Sequence, residues 1–259
     1  MKIANLRNLC TRGSLLLGAA AVLAACATQQ PESGEPANLA SSPWTTASSS
    51  AVEAVPWRHQ QFPGKRHSEY RYMRLDGRDT MMVQASSSAS MLRQVVRVEA
   101  ADLHQLRFSW KVPALIASAD LTVRELADSP VRVVLAFEGD RSKFAVKDAM
   151  LSELAHALTG EPMPYATLMY VWCNNREPGS VLVDPSTSRI RKIVMESGTG
   201  NLHRWMDYER DIRTDYLKAF GEQPGTLVTI GIMTDTDNTL STAHAWYGPV
   251  RHVPATAAP

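Results

Sequence analysis

The sequence predicts a mainly β domain with two helices, an antiparallel sandwich or barrel. Three observations predict it: many short apolar runs separated by turn residues, an Asp-Gly hairpin signal, and a run of strict apolar–polar alternation. An α+β arrangement is the alternative. A doubly wound α/β fold is a further runner-up, since few parallel crossover units are apparent.

The elements follow in chain order. Tyr70 to Leu75 and Thr80 to Ala85 flank Asp76-Gly77-Arg78-Asp79, where the Asp-Gly pair tolerates the positive φ of a tight hairpin. Leu106, Phe108, Trp110 and Val112 alternate with Arg107, Ser109 and Lys111, so one face of that strand is buried. Val131 to Phe137, Tyr165 to Trp172, Ile190 to Met195, Leu227 to Met233 and Ala243 to Val250 add five more strands. Ala145 to Leu158 reads as a helix, with Leu151, Leu154 and Leu158 at helical spacing and Gly160 as a stop. Asp207 to Phe220 reads as a second helix. It has Tyr208, Ile212, Tyr216 and Ala219 on one stripe, acids at its start, Lys218 near its end, and Gly221 and Pro224 beyond it.

The N-terminus carries an address. Lys2, Arg7 and Arg12 precede an uncharged apolar stretch from Ser14 to Ala25, the order of a secretory signal. That stretch is shorter than the roughly 20 residues of a spanning helix, so a permanent transmembrane anchor is the weaker reading. Leu23-Ala24-Ala25-Cys26 resembles the lipobox of bacterial lipoproteins, which implies removal of residues 1–25 and acylation of Cys26, palmitate included. An ordinary secretory cut nearby is the alternative. Ala27 stands where Asp would retain the protein at the inner membrane, so the resemblance implies an outer-membrane lipoprotein facing the periplasm. Residues 26–55 then form the acylated cysteine and a flexible Ala/Ser/Pro-rich tether, with Trp44 as its one bulky residue. Residues 56–253 form one domain, and 254–259 a disordered tail.

Charge and cysteine content exclude several classes. The chain has 27 Lys+Arg against 26 Asp+Glu, and loss of the three signal cations turns a net +1 into −2. Bulk charge therefore gives no basis for nucleic-acid binding. Of three cysteines, Cys10 leaves with the signal and Cys26 is acylated, so Cys173 remains as a lone thiol and a disulfide scaffold is excluded.

The residues that could carry chemistry are few. Met233-Thr234-Asp235-Thr236-Asp237-Asn238-Thr239 crowds two carboxylates and an amide directly after an apolar strand. In an extended backbone Asp235 and Asp237 project to one side, and with Asn238 they offer oxygen ligands to a structural calcium. A turn in which the Asp and Asn side chains bond their own backbone is the other reading. An EF-hand is excluded, because Leu240 and Trp246 stand where that loop needs Gly and Glu. Paired carboxylates also do acid and base work, with Glu209, Asp211 or Asp215 from the second helix as partner. His244 and Trp246 share a strand face and are candidates for a ligand surface; Trp110, Trp172, Trp205 and Tyr247 offer further stacking faces or core. Cys173 reads as a small buried side chain, since no nucleophile signature surrounds it. No Gly-x-Ser-x-Gly elbow, phosphate loop or His-Glu-x-x-His helix occurs.

The segments ASSSASML (Ala85 to Leu92), FSWKVP (Phe108 to Pro113), YVWCNN (Tyr170 to Asn175), RWMDYERDIRTDYLKAFGEQP (Arg204 to Pro224), MTDTDNT and AWYG resemble a family of bacterial envelope proteins, domain of unknown function 3047. The resemblance covers most of the chain from Trp57 to Val253. Leu240 and Pro249 stand where the family tends to have Gly and an acid. The resemblance implies a jelly-roll-like sandwich similar to carbohydrate-binding modules, and no established activity. The expectation is a non-catalytic envelope protein, anchored to the membrane through its lipid, whose sandwich binds a glycan or an envelope protein. A polysaccharide hydrolase or lyase using Asp235, Asp237 and Glu209 is one alternative, and a structural role in envelope assembly is another.

Overall fold

The computed structural model describes Trp44 and residues 57–255. The expected signal peptide, Cys26 and most of the expected tether and tail lie outside these described residues. Two sheets pack face to face. The seven-stranded sheet has the order β1-β4-β11-β6-β7-β9-β8, with β1 at Trp57–Gln61, β4 at Ser90–Val98, β6 at Ser129–Phe137, β7 at Ala166–Cys173, β8 at Val181–Val183, β9 at Ile190–Ser197 and β11 at Leu227–Asp235. The other has the order β10-β5-β12-β3-β2, with β2 at Glu69–Leu75, β3 at Arg78–Ser86, β5 at Gln105–Lys111, β10 at Trp205–Asp211 and β12 at Thr242–Tyr247; the short β13, Arg251–Val253, also pairs with β5. The mainly β, two-sheet fold read from the sequence is the fold observed.

Period-two alternation explains the layers. Leu106, Phe108 and Trp110 of β5, Met81 and Val83 of β3, and Ala245 and Tyr247 of β12 point into the shared core, where they meet Val131, Val133, Leu135 and Phe137 of β6. The hairpin between β2 and β3 turns at Asp76 (φ 52°) and Gly77 (φ 73°), the left-handed pair that a two-residue connection needs. Every residue of β6 is buried, because side chains and loops cover its outer face as well. That face carries Arg132, the one charge in the strand.

Several features depart from the sequence reading. β7 and β9 pair in parallel, because the chain runs out to β8 at the sheet edge and returns between β8 and β7. Residues 205–211 form β10 rather than the first turns of a helix, so the second helix, α2, spans only Ile212–Phe220. Met206 and Tyr208 pack on the core while Asp207 and Glu209 face outward, and the strand pairs with β5 from Trp205 to Asp211. Asp211 is the N-cap of α2, accepting from the Thr214 N–H at 2.6 Å. Trp44 is fully buried against Trp57, ring centroids 4.8 Å apart, so this residue of the expected tether belongs to the core. Edge strands β1, β8 and β13, together with β4 and β10, carry weak apolar patterns and were not legible as strands.

The first helix, α1, spans Val146–Thr159 and ends at Gly160 in the left-handed conformation. It is held by its polar seam. Asp148 accepts from the hydroxyls of Thr187 at 2.5 Å and Ser188 at 2.6 Å, and Ser152 is buried one turn on.

Candidate functional site

β11 runs out of the core at Asp235 and delivers the acidic loop to the end of the seven-stranded sheet. Asp235 lies on the outer face of that sheet beside Arg132. Its Oδ1 accepts from Arg132 Nε at 2.8 Å and its Oδ2 from Nη2 at 2.9 Å, and the Ser129 N–H donates to Oδ1 at 3.1 Å. Burial pushes the Asp235 carboxyl above its ordinary range, and the Arg132 guanidinium pulls it back down. The backbone beside the pair is fixed from the core side. The Tyr247 hydroxyl donates to the Met233 carbonyl at 2.6 Å and accepts from the Arg132 N–H at 3.2 Å.

The rest of the loop is equally engaged. The Thr236 N–H donates to the Ser88 carbonyl at 3.0 Å, and Asp237 pairs with Lys65. Asp128, buried just before β6, takes the turn: its Oδ1 accepts from Asn238 Nδ2 at 3.1 Å, and its Oδ2 from the Thr239 N–H at 2.7 Å and hydroxyl at 2.6 Å. The segment is therefore a turn held by a distant aspartate, rather than one in which Asp235 and Asp237 bond their own backbone.

Carboxylate oxygens of Asp128, Asp235 and Asp237 lie within 4.8 Å of one another. Sequence reasoning found two of the three, and Asn238 beside them. Calcium prefers six to eight oxygen ligands. Here both oxygens of Asp235 face a guanidinium, both of Asp128 hold the loop, and Lys65 stands on Asp237, so the donor set does not fit a cation without displacing these partners.

A second ion pair adjoins the first. Lys192 of β9 donates to Asp184 at 2.6 Å, and Arg132, Asp184, Asp235, Lys65 and Met169 line a cavity of about 340 Å³. Burial works against the Asp184 carboxylate, yet the Lys192 ammonium holds it below its ordinary value. Arg132 and Lys192 were missed from the sequence. The signal was present: a cation inside an apolar run is rarely buried without a partner.

The other expected site residues lie elsewhere. Glu209 is on β10, in the other sheet, where it accepts from Arg107 at 2.8 Å; it is neither a helix carboxylate nor a partner of Asp235. Asp215 of α2 is buried against Arg210 and Tyr170. His244 and Trp246 do share a face, with rings 5.2 Å apart, on the outer side of the six-stranded sheet. Trp246 is fully buried there under Met73, Leu75 and Met82, with Trp205 packed against them, so it presents no stacking surface. Cys173 is buried and free.

The outer side of that sheet also bears a groove of about 580 Å³ lined by Arg78, Arg107, Ser109, Asp207, Glu209 and Arg251. Arg78 makes a bidentate pair with Asp207 at 2.6 and 3.1 Å and lies 5.0 Å over the ring of Trp205. Trp205 Nε1 in turn donates to Asp76 at 2.9 Å.

No curated protein sequence matches the chain. Among solved structures, the family 11 carbohydrate-binding module of the cellulosomal cellulase Lic26A-Cel5E of Clostridium thermocellum is 8% identical, with a TM-score of 0.38 over 81% of this chain and 92% of that one. The xyloglucanase domain of NopAA from Sinorhizobium fredii, in complex with cellobiose, is 10% identical, with a TM-score of 0.38 over 76% and 92%. Endoglucanase 3 of Trichoderma harzianum, from family GH12, is 7% identical, with a TM-score of 0.38 over 75% and 88%. No statement about ligands passes from such distant likenesses to this chain. Residues 55–251, by contrast, match the family model described as "Protein of unknown function (DUF3047)", and the chain belongs to that family.

Proposed function

We propose that this protein is a lipid-anchored envelope domain that binds a glycan, or another polyhydroxylated envelope component, without transforming it. The observation that carries the reading is the groove on the outer face of the six-stranded sheet. Its planar polar groups are held in fixed pairs, Arg78 with Asp207 and Arg107 with Glu209, beside Ser109 and Arg251. Recognition of a polyhydroxylated ligand calls for such ordered donors and acceptors in a concavity. The carboxylates of both sites are engaged by arginine, lysine or loop donors, which suits binding better than proton transfer. Acylation of Cys26 places the domain in the periplasm at the outer membrane.

Isothermal titration and a glycan array that includes bacterial envelope polysaccharides test the reading. Binding is expected in the wild type and lost in Asp207→Ala and Arg78→Ala, with melting temperature unchanged. Absence of any glycan binding, together with absence of a copurifying envelope component, refutes it.

A further inference from the structure

Helix α1 is built the wrong way round for a helix that simply covers a sheet. Its polar Asp148 and Ser152 face inward, while Val146, Met150, Leu154 and Leu158, spaced four apart, are 55–79% exposed. Residues at that spacing form one stripe. Lys147 is exposed at the N-terminal end of the helix. At the C-terminal end Leu158 lines a groove of about 620 Å³ with Arg58, Phe62, Lys65 and Arg93. Arg93 pairs with Glu161, the one acid of the lining, and Lys65 with Asp237, so three cations face two acids and the groove is basic on balance. Apolar stripe and basic groove are thus continuous.

We infer that this stripe and groove dock on an anionic lipid surface, with Met150, Leu154 and Leu158 in the acyl boundary and the groove against phosphate headgroups. The inference rests on the anchored reading above. Two observations select lipid over a second copy of the chain. A stripe along a 14-residue helix offers on the order of 200 Å², given about 1.5 Å per residue and a helix width near 10 Å, well short of the roughly 800 Å² per partner of a stable dimer. The chain's own geometry brings the membrane within reach. Trp44 is fixed in the core against Trp57, and Arg58, the next residue, lines the same groove as Leu158. Between Cys26 and Trp44 the sequence has residues 27–43, which extend to roughly 60 Å at most. A weak interfacial contact then acts at the high effective concentration that the anchor supplies, and one acyl signal becomes two. No helix among the described residues is long and apolar enough to cross the membrane, so the contact is one of lying on the surface.

The test uses the full mature chain with Cys26→Ser and an N-terminal histidine tag, held on phosphatidylethanolamine vesicles that contain a minority of phosphatidylglycerol and a nickel-chelating lipid. An environment-sensitive fluorophore is placed by Leu154→Cys, or by Val183→Cys on exposed β8 as the comparison. The label at 154 is expected to shift to the blue and to be quenched by doxyl lipid several-fold more than the label at 183. Met150→Glu is expected to reverse the effect, and phosphatidylcholine vesicles to weaken it. Equal quenching at both positions overturns the inference. So does a shift at 154 without vesicles, which would mean that another copy or another segment of the chain covers the stripe. Because the tag replaces the lipid, this result is independent of whether Cys26 is acylated, which palmitate labelling of wild type against Cys26→Ala decides separately.

Discussion

Arg132 of β6 and Asp235 of β11 form a two-bond ion pair on neighbouring strands, almost wholly shielded from water, and the pair fixes the end of the seven-stranded sheet to the acidic loop. Removing one partner leaves a buried charge without compensation. Arg132→Met is therefore expected to cost about 3–5 kcal/mol in a urea titration. Arg132→Met combined with Asp235→Leu is expected to recover most of that loss, because no charge remains to be desolvated. Equal losses in the single and double variants would refute the pairing argument.

Asp128 holds the turn after β11 by side-chain and backbone donors of Asn238 and Thr239. Asp128→Ala leaves those donors without their acceptor and is expected to cost about 2–3 kcal/mol, on the scale of hydrogen bonds to a charged group. Proteolysis near residues 237–240 should quicken with it, and an unchanged cleavage rate would contradict the assignment.

The three clustered aspartates are expected to leave the protein indifferent to calcium. A metal that bound only the folded chain would raise its melting temperature. With Arg132 and Lys65 already on Asp235 and Asp237, millimolar calcium and a chelator should give the same thermal transition. A rise of several degrees with calcium would show that the ion displaces Lys65.

Leu240 sits at φ 53° with its side chain 75% exposed. A branched residue in the left-handed region costs about 1–2 kcal/mol, and here little burial offsets it. Leu240→Gly is expected to raise stability by about 1 kcal/mol, less than the full strain because glycine also loosens the unfolded chain. A loss of stability on this substitution would contradict the strain assigned to the position.

His59 donates to or accepts from the Ser90 hydroxyl at 2.8 Å and lies edge-on to His67 and Tyr70. Burial, and then the neighbouring His67, lower its pKa from the ordinary imidazole value of about 6.5. Below that value the unfolded chain takes up more protons than the folded one, so stability falls as the pH drops from about 6.5 toward the folded pKa. His59→Gln is expected to flatten the pH dependence of the urea midpoint between about pH 7 and 5. An identical profile in the variant would assign that slope to other groups.

Local periodicity and turn chemistry can be read along the chain without knowing its neighbours in space. The alternation through β5, the Asp76-Gly77 turn, the buried run of β6 and the Gly160 helix stop each carry their own physical reason, and together they specify a two-sheet sandwich. Features that depend on which elements become neighbours emerge only in the folded chain. Residues 207–211 read as the first turns of a helix through the stripe of Tyr208 and Ile212, but pairing with β5 makes 205–211 a strand and places Glu209 in the other sheet from Asp235. The candidate site divided in the same way. Asp235, Asp237 and Asn238 stand out because they are adjacent in the chain, whereas Asp128, Arg132 and Lys65 reach them across long stretches of sequence. Their charges, brought within a few ångströms, turn an apparent metal loop into an ion-paired one. The sequence shows Leu151, Leu154 and Leu158 at helical spacing, whereas the stripe that the fold leaves exposed is Val146, Met150, Leu154 and Leu158. Only the bonds from Asp148 to Thr187 and Ser188 turned that stripe outward, because a buried carboxylate must be hydrogen-bonded and the helix rotated to satisfy it.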